Sequence, residues 1–233
     1  MNPNRRSFIA GVGAIGLAGV TVQEKENEKE DDKPKQEKPK KLDAKLVGQF
    51  VGSSHGNLKV VKELLQKEPM LVNAAWDWAG GDWETGLNAA SHVGNRDIAE
   101  CLLENGARLD VCAAVMLGMD GIVNEMLKVN PNLHTVRGAH QIPLLHHAVF
   151  GGEKADGVLN RLLDSGADID LGSKSGMTSL MAAATSGRVD IVEMLVQRGA
   201  DVEAKNAKSQ TALELAKKRK QEKVVRYLES LLP

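Results

Sequence analysis

Aromatic side chains are scarce: three Trp, three Phe and one Tyr make up 3% of 233 residues. Ala, Leu, Val and Gly are plentiful instead, a composition suited to helices packed through small side chains. Cysteine is nearly missing, and Cys101 and Cys112 are too few for a disulfide scaffold or a zinc site of their own. Neither sign of charge is in excess. Thirty Lys and Arg balance 31 Asp and Glu, a net of −1, which argues against a general nucleic-acid binder with its basic surplus. The uncharged run from Ser7 to Gln23 is short for a membrane span. There is no G-x-S-x-G elbow, no Ser-His-Asp order around one and no P-loop, so no enzyme class is indicated. A chain of this length can build one or two globular domains or one stack of repeats.

What is present is a pattern that restarts. In the stretch Gly176–Asn206, Thr178 is placed to cap the first free N–H groups of a helix whose apolar side is Leu180, Ala182 and Ala183. Gly187 stops that helix by taking the left-handed conformation a helix end needs. A second amphipathic helix carries Ile191, Val192, Leu195 and Val196 at helical spacing and ends at Gly199-Ala200. Asp201-Val202 begins an extended link, and the pattern resumes at Thr211-Ala-Leu-Glu-Leu-Ala, a period of 33 residues (211 − 178).

A helix–turn–helix–hairpin unit of that period resembles the ankyrin repeat, with its T-P-L-H-x-A opening, central Gly, I-V-x-x-L-L helix and closing G-A-D. The resemblance covers about Leu42 to Leu232. It implies an all-α solenoid of about six helix-turn-helix repeats with β-hairpin fingers, preceded by a signal segment and a disordered linker. Aligned on the glycine that closes each first helix, the units fall at about 42–73, 85–107, 109–130, 143–167, 178–204 and 211–232 within a repeat domain of 42–233. The first unit has a polar first helix (Lys45, Gln49, Ser53, Ser54), as an end cap should. The third unit's glycine, Gly118, follows Gly94 by only 24 residues (118 − 94), so the finger between them must be cut short. The fourth has extra residues around Glu153–Gly157, and the sixth replaces the glycine with Lys220. The basic surface of the last unit (Lys217, Lys218, Arg219, Lys220, Lys223, Arg226) reads as a solvated cap, with a basic docking patch as the alternative.

Ahead of the stack, Asn4-Arg5-Arg6-Ser7-Phe8-Ile9-Ala10 resembles a twin-arginine export signal, with Arg5, Arg6 and Phe8 as its marks and residues 1–23 as the signal or an uncleaved anchor. The usual Lys after that motif and a clean A-x-A cleavage site are both missing. The resemblance implies a bacterial protein, exported to the periplasm or cell envelope. Gly11, Gly13 and Gly16 fit G-x-G-x-x-G but lack the strand before and the βαβ unit after that a dinucleotide site needs. Residues 24–41 alternate acidic and basic charges with two prolines and no apolar side chain, and read as a disordered tether.

The ankyrin family binds through its hairpin tips and the exposed ends of its first helices. By resemblance, those positions are Ser54 and His55, His92 and Val93, Met116 and Leu117, Phe150, and Thr185 and Ser186. Met116, Leu117 and Phe150 would form an apolar band in the groove, unless neighbouring hairpins cover them. All three tryptophans lie in Trp76-Asp77-Trp78-Ala-Gly-Gly-Asp82-Trp83-Glu84, a hairpin longer than its fifth-repeat equivalent. Trp76, Asp77, Trp78, Asp82 and Trp83 there serve either recognition or a small loop core of their own. His134, His140, His146 and His147 cluster in sequence, but their spacing matches no zinc pattern and no carboxylate or thiol sits at ligand spacing beside them. No metal or cofactor is therefore expected. His146 occupies the T-P-L-H histidine position, whose ring by resemblance hydrogen-bonds backbone and braces adjacent repeats. Cys101 and Cys112 lie on helices expected to be neighbours, as buried inert thiols or as a disulfide.

These readings converge on a non-catalytic protein–protein interaction module, a monomer that displays its concave face and hairpin tips to a protein partner. No nucleic acid is expected, and a membrane would be met only through an uncleaved N-terminal segment. The alternative is a periplasmic accessory protein that binds a small ligand or metal through its histidines or Trp loop.

Overall fold

The computed structural model describes residues 41–231. The export-signal positions Arg5, Arg6 and Phe8, the glycines from 11 to 16 and nearly all of the charged segment 24–41 lie outside the described residues. Twelve α-helices occur among the described residues, in successive pairs. They are α1 (Ala44–Ser53) with α2 (Leu58–Lys67), α3 (Gly86–His92) with α4 (Arg96–Glu104), and α5 (Val111–Met116) with α6 (Asp120–Val129). Then come α7 (Leu144–Phe150) with α8 (Asp156–Asp164), α9 (Ser179–Ser186) with α10 (Val189–Gln197), and α11 (Ala212–Lys218) with α12 (Glu222–Ser230). No described helix is long and apolar enough to cross a membrane.

Local chemistry explains where these helices begin and end. Thr178 accepts a hydrogen bond from the Met181 N–H, as a threonine cap should. Thr211 and Glu214 form a reciprocal capping box at α11. Asp43, Thr85 and Asp110 cap α1, α3 and α5 in the same way. Gly187 closes α9 at φ 77°, the left-handed conformation anticipated for it. Lys220 takes the same conformation (φ 58°) just after α11, the first helix of the last pair, where a side chain is strained.

The interior is two apolar clusters that meet at α5. Phe50, Leu71, Leu87, Ile98 and Leu102 anchor one between α1 and α4, and Leu145, Leu159, Leu180, Val192 and Leu228 anchor the other. Helix α5 serves both: Ala113 and Met116 belong to the first cluster, Cys112, Ala114 and Val115 to the second. Met116 is fully enclosed and Leu117 is 6% exposed, so the expected apolar band does not form at the surface. A six-residue helix wedged between two cores has no apolar face left for solvent. Cys101 and Cys112 are free, buried thiols, and burial, then the Asp110 charge, pushes the Cys112 thiol up to about 12.

One finger is a true hairpin. Strands β1 (Ala75–Asp77) and β2 (Trp83–Thr85) pair antiparallel, with Trp76 opposite Glu84. The link between α4 and α5 contains no strand, in keeping with the short glycine spacing. Before α7 lies a loop with a tight turn at Ala139–Gln141, in which His140 and Gln141 have positive φ, closed by a bridge between Arg137 and Pro143. Arginines tie later pairs together: Arg161 to Asp120, Arg188 to Asp156 and Arg198 to Asp164, at 2.7, 2.8 and 2.7 Å. Arg96 instead reaches the carbonyls of Met116, Leu117 and Gly151, placing a cation at the C-terminal ends of α5 and α7.

Candidate functional site at the Trp hairpin

The three tryptophans take three different roles. Alternation along the short strands puts Trp76 and Glu84 on the inward face and Asp77 and Trp83 on the outward one. The Trp76 ring lies against Gly48 of α1, where an added Cβ would sit 3.3 Å from it. Trp78 folds back over the strands, and its indole N–H donates to Glu84 Oε2 at 2.6 Å. Trp83 packs least, at 62% exposed. Asp77 holds the turn by accepting from the N–H groups of Ala79 and Gly81.

Glu84 is the centre of the site, with a side chain 0% exposed. His92, the last residue of α3, brings Nδ1 to 2.9 Å from Glu84 Oε1. His55, in the turn after α1, brings Nε2 to 3.5 Å from Oε2, and His140 brings Nε2 to 3.7 Å from Oε1. The rings sit edge to face, with centroids 4.9 Å apart for His55 and His92 and 5.4 Å for His92 and His140. Burial alone would raise the Glu84 carboxyl, but His92, the Trp78 indole and His55 hold it below its ordinary value.

His140 arrives from far along the chain because no finger stands between α4 and α5. Asp82, at the hairpin tip, accepts from the His140 backbone N–H at 2.7 Å and lies 2.9 Å from its Nδ1. Lys174 approaches the same carboxylate at 3.4 Å and donates its backbone N–H to the His140 carbonyl. The hydrogen bond from the His140 backbone, more than the flanking charges, keeps the Asp82 carboxyl below its usual range. This double grip holds His140 in the left-handed region at φ 55°.

Beneath the cluster, His146 and His147 are buried in α7. Burial first, then neighbouring imidazoles, pushes His146 down to about 4 and His147 to about 3, so both are neutral. The Nδ1 of His146 has no hydrogen-bond partner. Its ring stacks on Phe150 at 5.3 Å, so it braces by packing and not through an Nδ1 hydrogen bond to backbone.

The other positions marked in the sequence separate into two groups. Trp76, Asp77, Trp78, Asp82, Trp83 and His92 belong to the hairpin and its cluster. Phe150 is half-buried and shares a groove of about 410 Å³ with Thr185, Met177, Lys208 and Arg219, and Ser186 stands exposed beside it. Met116 and Leu117 join neither group. Spacing does not point to Glu84 or His140 as site members, and it marks His55 only as a helix-end position. The signal for Glu84 was strand alternation, which places a carboxylate on the same face as the core-packed Trp76. Among the described residues, His55, Glu84, His92 and His140 have ligand atoms all within 4.8 Å of one another, an arrangement able to hold a cation.

Comparison with known proteins agrees with this architecture. The chain is 31% identical over 146 residues to the ankyrin repeat and SAM domain-containing protein 6 of Danio rerio, covering 62% of this chain and 19% of that protein. It is 26% identical over 171 residues to the ankyrin repeat and KH domain-containing protein mask-1 of Caenorhabditis elegans, covering 66% of this chain and 6% of that protein. The chain thus spans less than a fifth of the length of either relative. The family described as Ankyrin repeats (3 copies) matches residues 111–206 and 145–230, together more than half of the sequence. With helix pairs, left-handed helix ends and capped helix starts as that family's pattern requires, the chain belongs to the ankyrin-repeat family.

Proposed function

We propose that this ankyrin-repeat chain is a non-catalytic, monomeric binding module that displays its hairpin tip and concave groove to a protein partner. The observation that carries this reading is Trp83, an aromatic side chain 62% exposed on a hairpin whose other side chains are anchored. A tryptophan held on a rigid support costs little entropy to bury, which is why the residue is so frequent at binding hot spots. The groove containing Phe150 and Thr185 supplies a second contact, with a half-buried ring among polar groups. Trp78 is less suited to contact a partner, since its indole already serves Glu84. The module works in the periplasm or cell envelope, delivered by the signal at Arg5, Arg6 and Phe8. It meets the membrane only if that segment stays uncleaved, and it uses no nucleic acid.

The test is cross-linking of the full chain in bacterial cells that possess twin-arginine export, with recovery from the periplasmic fraction. One recurrent protein should accompany the wild type and disappear with Trp83→Ala/Phe150→Ala, while circular dichroism of the double variant is unchanged. Equal recovery of that protein with the folded variant would defeat the reading.

A further inference from the structure

The cluster around Glu84 goes beyond partner binding and does not depend on it. We propose that His55, His92, His140 and Glu84 form a binding site for one divalent transition-metal ion, with zinc as the best-matched species. Three imidazoles and one carboxylate make a donor set of nitrogen and oxygen that suits zinc and its borderline neighbours.

Hydrogen bonding at the far sides of the rings fixes which atoms face inward. The Nδ1 of His55 lies 3.2 Å from the Gly52 carbonyl, and an oxygen acceptor there requires that nitrogen to carry the proton. The Nδ1 of His140 lies 2.9 Å from the Asp82 carboxylate, which imposes the same tautomer. Both rings therefore turn an Nε2 towards the Glu84 carboxylate, and in the neutral ring that atom is a lone pair. Lone pair facing carboxylate is repulsive unless a cation stands between them. His92 adds a third such atom: its Nδ1 approaches Glu84 Oε1 without the alignment of a hydrogen bond, and neither atom has a hydrogen-bond partner. Orphaned polar atoms this deep are costly, and a metal ion satisfies them together.

The surroundings also match those of a ligand set. A carboxylate and a backbone carbonyl behind two ligand imidazoles are the supports that orient metal-binding histidines and raise their basicity. The Trp78 indole performs that service for the other oxygen of Glu84, leaving Oε1 for the ion. His55 and His140 are about one-third exposed, which gives an ion access from solvent. Bound there, the ion would join the ends of α1 and α3, the hairpin and the loop before α7 at a single point.

The full chain, untagged and stripped with a chelator, is titrated with zinc chloride by calorimetry and with cobalt(II) by visible absorption. One zinc per chain should bind, cobalt should give a four-coordinate spectrum, and the melting temperature should rise on zinc addition. His55→Ala removes a partly exposed ligand and should weaken binding roughly tenfold or more without changing the circular dichroism, as should His140→Ala. His134→Ala, outside the cluster, should bind as the wild type does. Absence of stoichiometric zinc uptake by the stripped wild type would overturn the proposal. So would equal uptake by the folded His55→Ala and His140→Ala variants, since the ion would then sit elsewhere or a proton alone would satisfy the cluster.

Discussion

The last two helix pairs and the pairs around the Trp hairpin are made from the same unit, yet they hold their neighbours differently. Between α9 and α12, contact runs from each pair to the next: the Gln221 side chain of the last pair reaches back to the Thr185 carbonyl, and turns replace hairpins. Around α3 the chain skips a pair. The hairpin before α3 bonds the loop before α7, Arg96 reaches Gly151, and the carbonyl of Phe150 lies against Gly94. A regular stack brings together only what is adjacent in sequence. Shortening one link, between α4 and α5, lets non-neighbours touch, and the titratable side chains collect at that irregularity.

The largest expected effect tests whether buried histidines set the skipped-pair region apart. His146 and His147 are held down to about 4 and about 3, while the unfolded chain takes up these protons near 6.5. Stability is thus whole above 6.5 and is lost as pH falls from there towards the folded values, because the unfolded state binds more protons in that window. Between pH 7 and pH 5 the loss should be on the order of 4 kcal/mol, read as a fall in urea midpoint. A midpoint unchanged over that interval would remove this distinction between the regions.

A pair of glycine substitutions sharpens the comparison. Both Gly94 and Gly187 end a first helix with positive φ, at 72° and 77°. A Cβ at Gly94 would lie 2.3 Å from the Phe150 carbonyl oxygen, which is backbone, whereas at Gly187 it would meet only the end of the Gln221 side chain. Gly94→Ala should therefore cost about 3 kcal/mol or more, combining left-handed strain with overpacking. Gly187→Ala should cost about 1–2 kcal/mol of strain alone. Equal losses in chemical denaturation would show that α3 and α7 are not locked together.

The smallest effect lies at the regular end. Lys220 occupies the position where other pairs place glycine, and Lys220→Gly should stabilise by about 1 kcal/mol by relieving its left-handed backbone. A neutral or destabilising change in melting temperature would mean that the lysine side chain contributes there in its own right.

These contrasts also explain what could be read in the sequence. Thr178, Gly187 and the Thr211–Glu214 box act through their own helix, so their chemistry is written within a few residues and the helix pairs were legible. The shortened link was legible too, as the closeness of Gly94 and Gly118. Its consequence was not, because nothing local says that a loop before α7 will land on Asp82. The histidines at 134, 140, 146 and 147 drew attention by proximity, yet only His140 enters the cluster, and its companions come from three other segments. Met116 and Leu117 misled for a related reason. Their position within the unit suggests the open groove, but a helix of six residues between two cores is closed on all sides.

The arginine ties have a mechanical consequence. Arg161 fastens the α7–α8 pair to the pair before it, and Arg188 and Arg198 together fasten the α9–α10 pair to α8, like the teeth of a zip, so the C-terminal end can peel away one pair at a time. Arg96 grips three carbonyls on two different pairs, and Asp82 holds His140 across the same gap. Unravelling that arrives from the C-terminus reaches a knot there: α7 cannot leave without releasing the ends of α3 and α5 and the hairpin, so this part of the stack comes undone as one piece.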